Sequence, residues 1–247
     1  MKAMVLAAGL GTRLGKITAS KPKALVEVEG IPLIEHVILR LKKHRFTEII
    51  INVHHFTGQI IDFIESRNSF GLHIDFSQEK ELLDTGGGLK NASWFFDSNE
   101  PFLLQNVDIL SDLDLTAFMQ FHIDSESLAT VAVRQRETQR YILFDENNQL
   151  VGWESLQTGE KIISRPGKGE ISRLSFMGIH AFSPKIFAKM KDDGAFSIIK
   201  TYLKLAEDGG KITGYRGDSA RWLDLGRIEV FQQARMILGD DFFTENK

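Results

Sequence analysis

Two glycines, a hydroxyl and a guanidinium stand together near the start of the chain, where residues 6–14 read LAAGLGTRL. Gly9 and Gly11 allow backbone amides to approach phosphate oxygens, and Arg13 beside Thr12 supplies positive charge, so the loop suits an anionic ligand. Lys21 and Lys23 follow in KPKALVEV, residues 21–28. Two distant carboxylates complete the set: Asp108 closes FLLQNVD, residues 102–108, just after Asn106, and Asp224 lies in WLDLG, residues 222–226. Hard oxygen donors of this kind suit Mg2+ shared between protein and phosphate. Taken one at a time, the same features have plainer uses, since two glycines make a tight turn and an Asp at a strand end caps a turn or a helix.

Two familiar glycine loops do not fit. A dinucleotide-binding fingerprint needs G-x-G-x-x-G, and Gly15 arrives one position late; a Walker A loop needs four residues between its glycines and a hydroxyl after the lysine, whereas Gly11 and Gly15 enclose three and Ile17 follows Lys16. Further along, Gln78 precedes DTGGG, Asp84 to Gly88. A glutamine amide offers both donor and acceptor to the edge of a base, and glycines permit close approach to backbone, though a surface glutamine and a flexible helix entry explain the same residues.

The elements that would position these groups follow from hydrophobic spacing. Met1 to Ala8 reads as a buried first strand. Pro32 opens an amphipathic helix through Leu33, Ile34, Val37, Ile38 and Leu41, with Arg40, Lys42 and Lys43 opposite. Ile49, Ile50, Ile51 and Val53 form a strand covered on both faces, Ile60, Ile61 and Ile64 mark a second helix, and Leu72, Ile74 and Phe76 alternate in a strand. Another helix is predicted from near Gly88, then a strand from Phe102 to Leu104. This rhythm predicts a doubly wound α/β fold, a Rossmann-like mixed sheet flanked by helices, with ligands beyond the carboxyl ends of the strands. The later part predicts a hairpin over Tyr141 to Trp153 turning at Asn147-Asn148, a polar loop from Ser164 to Glu170 and a strand from Ser175 to Phe182. It also predicts a helix from Phe196 to Glu207 stopped at Gly209-Gly210 and a final helix from Ile228 to Leu238. One domain over 1–247 is the expectation, with a regular first half, roughly 1–115, and a more mixed second half, 116–247.

The formal net charge of −3 on 247 residues, with no basic tail, points away from nucleic acid and anionic membrane and toward a small diffusible substrate. No cysteine is present, which excludes disulfides, thiolate nucleophiles and cysteine-ligated metal. With no apolar run long enough to span a bilayer, the cytoplasm is the expected location. The histidines show no metal-like spacing apart from His54-His55, which reads as a strand end, and Phe95-Phe96 and Phe242-Phe243 read as packing.

The first loop, the K-x-L-x-x-V segment at Lys23 and the P-L-I helix start at Pro32 together resemble the sugar-1-phosphate nucleotidylyltransferase family across nearly the whole chain. The resemblance implies the nucleotide-diphospho-sugar transferase fold, with roughly 1–115 as a nucleotide-binding half and 116–247 as a sugar-binding half, and transfer of a nucleotidyl group from an NTP to a sugar 1-phosphate, releasing pyrophosphate. It implies Arg13, Lys23, Asp108 and Asp224 as catalytic residues, with Asp108 and Asp224 holding Mg2+. Nucleotide contacts would come from Leu6, Ala8, Gly9, Gly11, Thr12, Arg13, Gln78, Thr85, Gly86, Gly87 and Asn106, and sugar contacts from Glu154 and from Gly178 in SFMGIH. Length and the DTGGG run resemble the short N-acetylmuramic acid 1-phosphate uridylyltransferases and the mannose or heptose 1-phosphate guanylyltransferases, with UTP and an amino-sugar 1-phosphate favoured. Two other classes compete: a regulatory subunit that binds a nucleotide sugar without turnover, and a dinucleotide oxidoreductase, which the glycine spacing disfavours. Oligomeric state is open, a homo-oligomer included.

Overall fold

The computed structural model describes residues 1–226 and 228–244, without the side chain of Ile228. The chain has the mixed α/β architecture that the alternation predicts, with a mostly parallel central sheet flanked by helices. It divides into two compact units, the first made of Met1–Leu82, Leu104–Leu115 and Ala220–Lys247, the second of Leu83–Leu103 and Thr116–Ser219. The boundary therefore crosses the two predicted halves: 83–103 leaves the first and 220–247 joins it.

In the first unit, strands Lys2–Leu6, Glu48–Val53 and His73–Gln78 run parallel, with Met4 opposite Ile50 and Ile50 opposite Asp75. Leu104–Asn106 borders Lys2–Leu6, and the Val107 N–H donates to the Leu6 carbonyl at 3.1 Å. Ile49, Ile50, Ile51 and Val53 are fully buried, as a strand covered on both faces demands. The helix Leu33–Lys43 begins directly after Pro32 and buries Leu33, Ile34, Val37, Ile38 and Leu41. Each such side chain contributes about 1.5–3 kcal/mol of burial. Arg40 is not on the solvent face. It is buried, donates to the Leu113 carbonyl at 2.5 Å and to Gln105 Oε1 at 3.2 Å, and burial holds its pKa down at about 10. A charged group is tolerated there because it satisfies the backbone of the segment that follows Asp108.

Strand Ile109–Ser111 pairs antiparallel with Trp222–Asp224, setting Asp224 opposite Ile109, and the Leu225 N–H donates to the Asp108 carbonyl at 2.9 Å. No local periodicity announced this pairing. The final helix is not continuous: Ile228–Phe231 and Ala234–Leu238 are separate, and Gly239, at φ 84°, turns the chain into Asp240–Thr244.

In the second unit the strand order is Lys161–Ile163, Leu150–Ser155, Arg140–Phe144, Ser172–Phe182, Ala129–Arg134, Ile212–Arg216. All neighbours are antiparallel except the last two. The predicted hairpin turns at Asn148, at φ 54°. Phe96, Phe102, Phe182 and Phe187 stack in its core. The helix expected near Gly88 starts at Asp84 instead, so the three glycines lie inside it.

Candidate active site

The first strand delivers its glycine loop to the carboxyl edge of the parallel sheet. Ala7 and Ala8 are buried, and Gly11 takes φ 66°, a left-handed conformation that glycine adopts without steric cost. A Cβ at Gly11 would lie 2.9 Å from Thr18 Cγ2 and 3.1 Å from Lys23 Cβ, so glycine is required for this approach as well. Thr18 Oγ1 donates to the Gly11 carbonyl at 3.0 Å, and Thr12–Thr18 follows as tight helical turns interrupted at Gly15. The loop thus packs directly against the lysine.

Lys23 is only 7% exposed, and its ammonium forms an ion pair with the Asp108 carboxylate. The guanidinium of Arg13 and the Asp224 carboxylate both border Gly226, where a Cβ would lie 3.0 Å from Arg13 Nη2 and 2.9 Å from Asp224 Oδ1. The Gly226 N–H donates to that same oxygen at 2.9 Å. The Asp224 carboxyl is pushed up from its ordinary pKa, first by burial and then by the nearby Asp108 charge, while Lys23, the Gly226 N–H and Arg13 pull it down. Two carboxylates far apart in sequence, Arg13 from the first loop and Lys23 from the segment after it therefore share one electrostatic site.

Asp108 and Asp224 offer hard oxygen donors that repel each other, a pair that a divalent cation relieves. Among the described residues no cluster of three or more His, Asp or Glu with metal-ligand placement occurs, so substrate phosphates and water would supply the remaining positions. Asn106 Oδ1 is buried without a hydrogen-bond partner among the described residues, an acceptor left open one residue from Val107 and two from Asp108. Gln78 ends its strand opposite Val53 with an exposed side chain at the same sheet edge.

The remaining predicted contacts lie in the second unit. There the DTGGG glycines have a structural occupation. Gly86 and Gly87 N–H groups both donate to the Phe196 carbonyl, at 2.9 and 3.2 Å, and Thr85 Oγ1 accepts from the Ile198 N–H at 2.9 Å. A Cβ at Gly86 would fall 2.5 Å from the Phe196 ring, and one at Gly87 2.2 Å from the Gly194 carbonyl oxygen. The close approach these glycines permit is to their own chain. Glu154 is buried and paired with Arg173, whose guanidinium lies 5.1 Å from the centre of the Tyr141 ring; spacing alone did not reveal Arg173. Gly178, at φ 78°, sits where the pairing of Ser172–Phe182 with Ala129–Arg134 slips between Phe176 and His180.

A family model described as nucleotidyl transferase matches residues 2–241. The chain belongs to that family. Its relatives include the N-acetylmuramate alpha-1-phosphate uridylyltransferase of Caulobacter vibrioides, 32% identical over 95% of this chain and 96% of the relative. Another is the mannose-1-phosphate guanylyltransferase catalytic subunit beta of Dictyostelium discoideum, 26% identical over 94% of this chain. The chain spans 62% of the length of such longer relatives. Among solved structures, HddC from Yersinia pseudotuberculosis complexed with GMP-PN superposes with a TM-score of 0.73 at 22% identity, covering 94% of this chain and 97% of the other, and shares the fold. Among the described residues of this nucleotidyl transferase, no helix is long and apolar enough to cross a membrane.

Proposed function

We propose that this nucleotidyl transferase joins UTP to an amino-sugar 1-phosphate in a Mg2+-dependent reaction, giving a UDP-sugar and pyrophosphate. The observation that carries the reading is the meeting of Asp108, Asp224, Lys23 and Arg13 at the edge of the parallel sheet, directly after the glycine loop. Asp108 and Asp224 would hold Mg2+, which when bound supplies concentrated positive charge against phosphate oxygens.

A sugar-phosphate oxygen, already anionic, attacks the α-phosphorus in line; the bond to the bridging oxygen breaks and pyrophosphate leaves. Neither a covalent enzyme intermediate nor a general base is needed, so the protein's work is alignment and charge neutralisation. The amides from Gly9 to Thr12 and the Arg13 guanidinium face the triphosphate. Lys23, paired with Asp108 in the free protein, turns its ammonium to phosphate oxygen in the complex. Asn106 Oδ1 is an acceptor available to a nucleotide hydroxyl. In the second unit, Glu154, with Arg173, and the Gly178 bulge are assigned to the sugar.

Uridine is favoured because Gln78 offers a donor and an acceptor together, as a pyrimidine edge requires, and because the Caulobacter relative matches at nearly full length. A base that covers the Gln78 amide without matching it would leave that amide unpaired in the complex, a discrimination of about tenfold or more. The alternative is a GTP-dependent mannose or heptose 1-phosphate reaction, favoured by the Dictyostelium relative. A regulatory subunit without turnover fits poorly with retention of both carboxylates and both cations. Specificity constants for UTP, dTTP, GTP and CTP with a panel of sugar 1-phosphates, read by pyrophosphate release, decide between them. A GTP preference overturns the base assignment; no release with any pair overturns the reaction.

A further inference from the structure

The apolar run of the second parallel strand contains one amide, Asn52, between Ile51 and Val53. Asn52 is 2% exposed and lies opposite Leu6 on one side and Ser77 on the other, at the ends of three parallel strands. Its Oδ1 accepts from the Ala7 N–H at 2.7 Å, and its Nδ2 donates to Glu79 Oε1 at 2.6 Å. Because an N–H only donates, the orientation of the amide is dictated, and its NH2 must meet an acceptor on the far side. Glu79, 4% exposed, is that acceptor. Its own backbone is tied to the same strand end, N–H to the Val53 carbonyl at 2.8 Å and carbonyl to His54 Nδ1 at 2.9 Å. A valine or isoleucine at position 52 would suit the burial and the β-branched run better, so the buried amide answers a demand other than packing.

We propose that Asn52 and Glu79 are positioning residues, a buried bridge holding the loop that begins at Ala7 and the Gln78 side chain in the one spacing that fits a nucleoside triphosphate. Gly9 lies two residues beyond Ala7, and Gln78 immediately precedes Glu79, so each end of the bridge is adjacent to a group assigned to the nucleotide. The inference rests on the reading of that loop and of Gln78 as the nucleotide site. Loss of the bridge lets loop and base edge move independently, which weakens ground-state nucleotide binding and base choice while leaving the chemical step at Asp108 and Asp224 intact.

The test is a polarity swap in the full chain, with Asn52→Asp, Glu79→Gln and the double variant compared with the wild type. In Asn52→Asp the new carboxylate keeps the Ala7 N–H but sets oxygen against the Glu79 oxygen. UTP KM is expected to rise about tenfold, the UTP over CTP preference to fall by a similar factor, and kcat at saturation to hold. In the double variant the new amide donates back to the new carboxylate, so KM and preference return toward wild type. Hydrogen exchange at the Ala7 amide, read without substrate, should quicken in Asn52→Asp and slow again in the double variant. An unchanged KM and preference in Asn52→Asp, or a double variant as impaired as the single, overturns the positioning role. Unchanged Ala7 exchange overturns the bridge itself. Absence of UTP turnover in the wild type, with the exchange pattern intact, would instead strike the nucleotide assignment.

Discussion

Replacing Lys23 with Met removes the only cation that the Asp108 carboxylate pairs with directly among the described residues, and it keeps most of the aliphatic volume. Lys23 is 7% exposed and the Asp108 side chain 19%. Breaking a buried pair by deleting one partner costs about 3–5 kcal/mol. With Asp108 still partly wetted, and Asp224 adding like charge, the lower end applies, about 3 kcal/mol. For a chain of this length each kcal/mol moves the melting midpoint by about 2–4 °C, so Lys23→Met should melt roughly 6–12 °C below wild type in chelator. The two uncompensated carboxylates then become a better cation site. Mg2+ at a hundredfold excess over its dissociation constant returns about 2.7 kcal/mol, nearly the whole loss, whereas NaCl at matched ionic strength does not. Scanning calorimetry with and without Mg2+ reads both effects. A metal-free midpoint equal to wild type, or a lowered midpoint that Mg2+ leaves in place, would refute the electrostatic reasoning.

Asp224→Asn should lower Mg2+-dependent pyrophosphate release at least about a hundredfold, yet stabilise the metal-free protein at neutral pH. The sign follows from the raised Asp224 pKa: the native state binds that proton more tightly than the unfolded chain, so ionisation costs stability as pH rises above the ordinary carboxylate range. The advantage of Asn should be full at neutral pH and vanish in urea titrations below that range; an advantage that grows in acid contradicts it. Arg13→Ala should reduce kcat/KM by about a hundredfold or more with little change in urea midpoint, while Lys16→Ala leaves both near wild type. Gly87→Ala should lower stability by about 1–3 kcal/mol because its Cβ meets the Gly194 carbonyl oxygen, and a neutral urea midpoint would contradict the close packing.

The elements nearest the site are legible in the sequence where a single periodicity governs them. Leu33, Ile34, Val37, Ile38 and Leu41 share one face of a helix because their spacing admits no other regular arrangement, and Ile49 to Val53 must be a doubly covered strand. The glycine loop is legible because two glycines, a hydroxyl and an arginine follow an apolar strand. What spacing does not contain is register. Asp224 reaches Asp108 only through the antiparallel pairing of Trp222–Asp224 with Ile109–Ser111, a long-range choice with no local signature. Gly86 and Gly87 announce a close approach but not its partner, which proves to be the 194–196 backbone. Charge alone places Arg40 on the solvent face, whereas its guanidinium donates to the buried Leu113 carbonyl. Asn52 did carry a signal, a lone amide inside IIINV, and its meaning depends on what Ala7 and Glu79 present on either side.

The central claim, direct transfer of a nucleotidyl group to a sugar 1-phosphate, is tested most directly by following oxygen. A sugar 1-phosphate carrying 18O in its nonbridging phosphate oxygens is turned over with unlabelled UTP and Mg2+, and both products are weighed by mass spectrometry. Attack by the sugar-phosphate oxygen on the α-phosphorus sends all of the label into the nucleotide sugar and none into pyrophosphate. Label in pyrophosphate, or no nucleotide sugar at all, would contradict it.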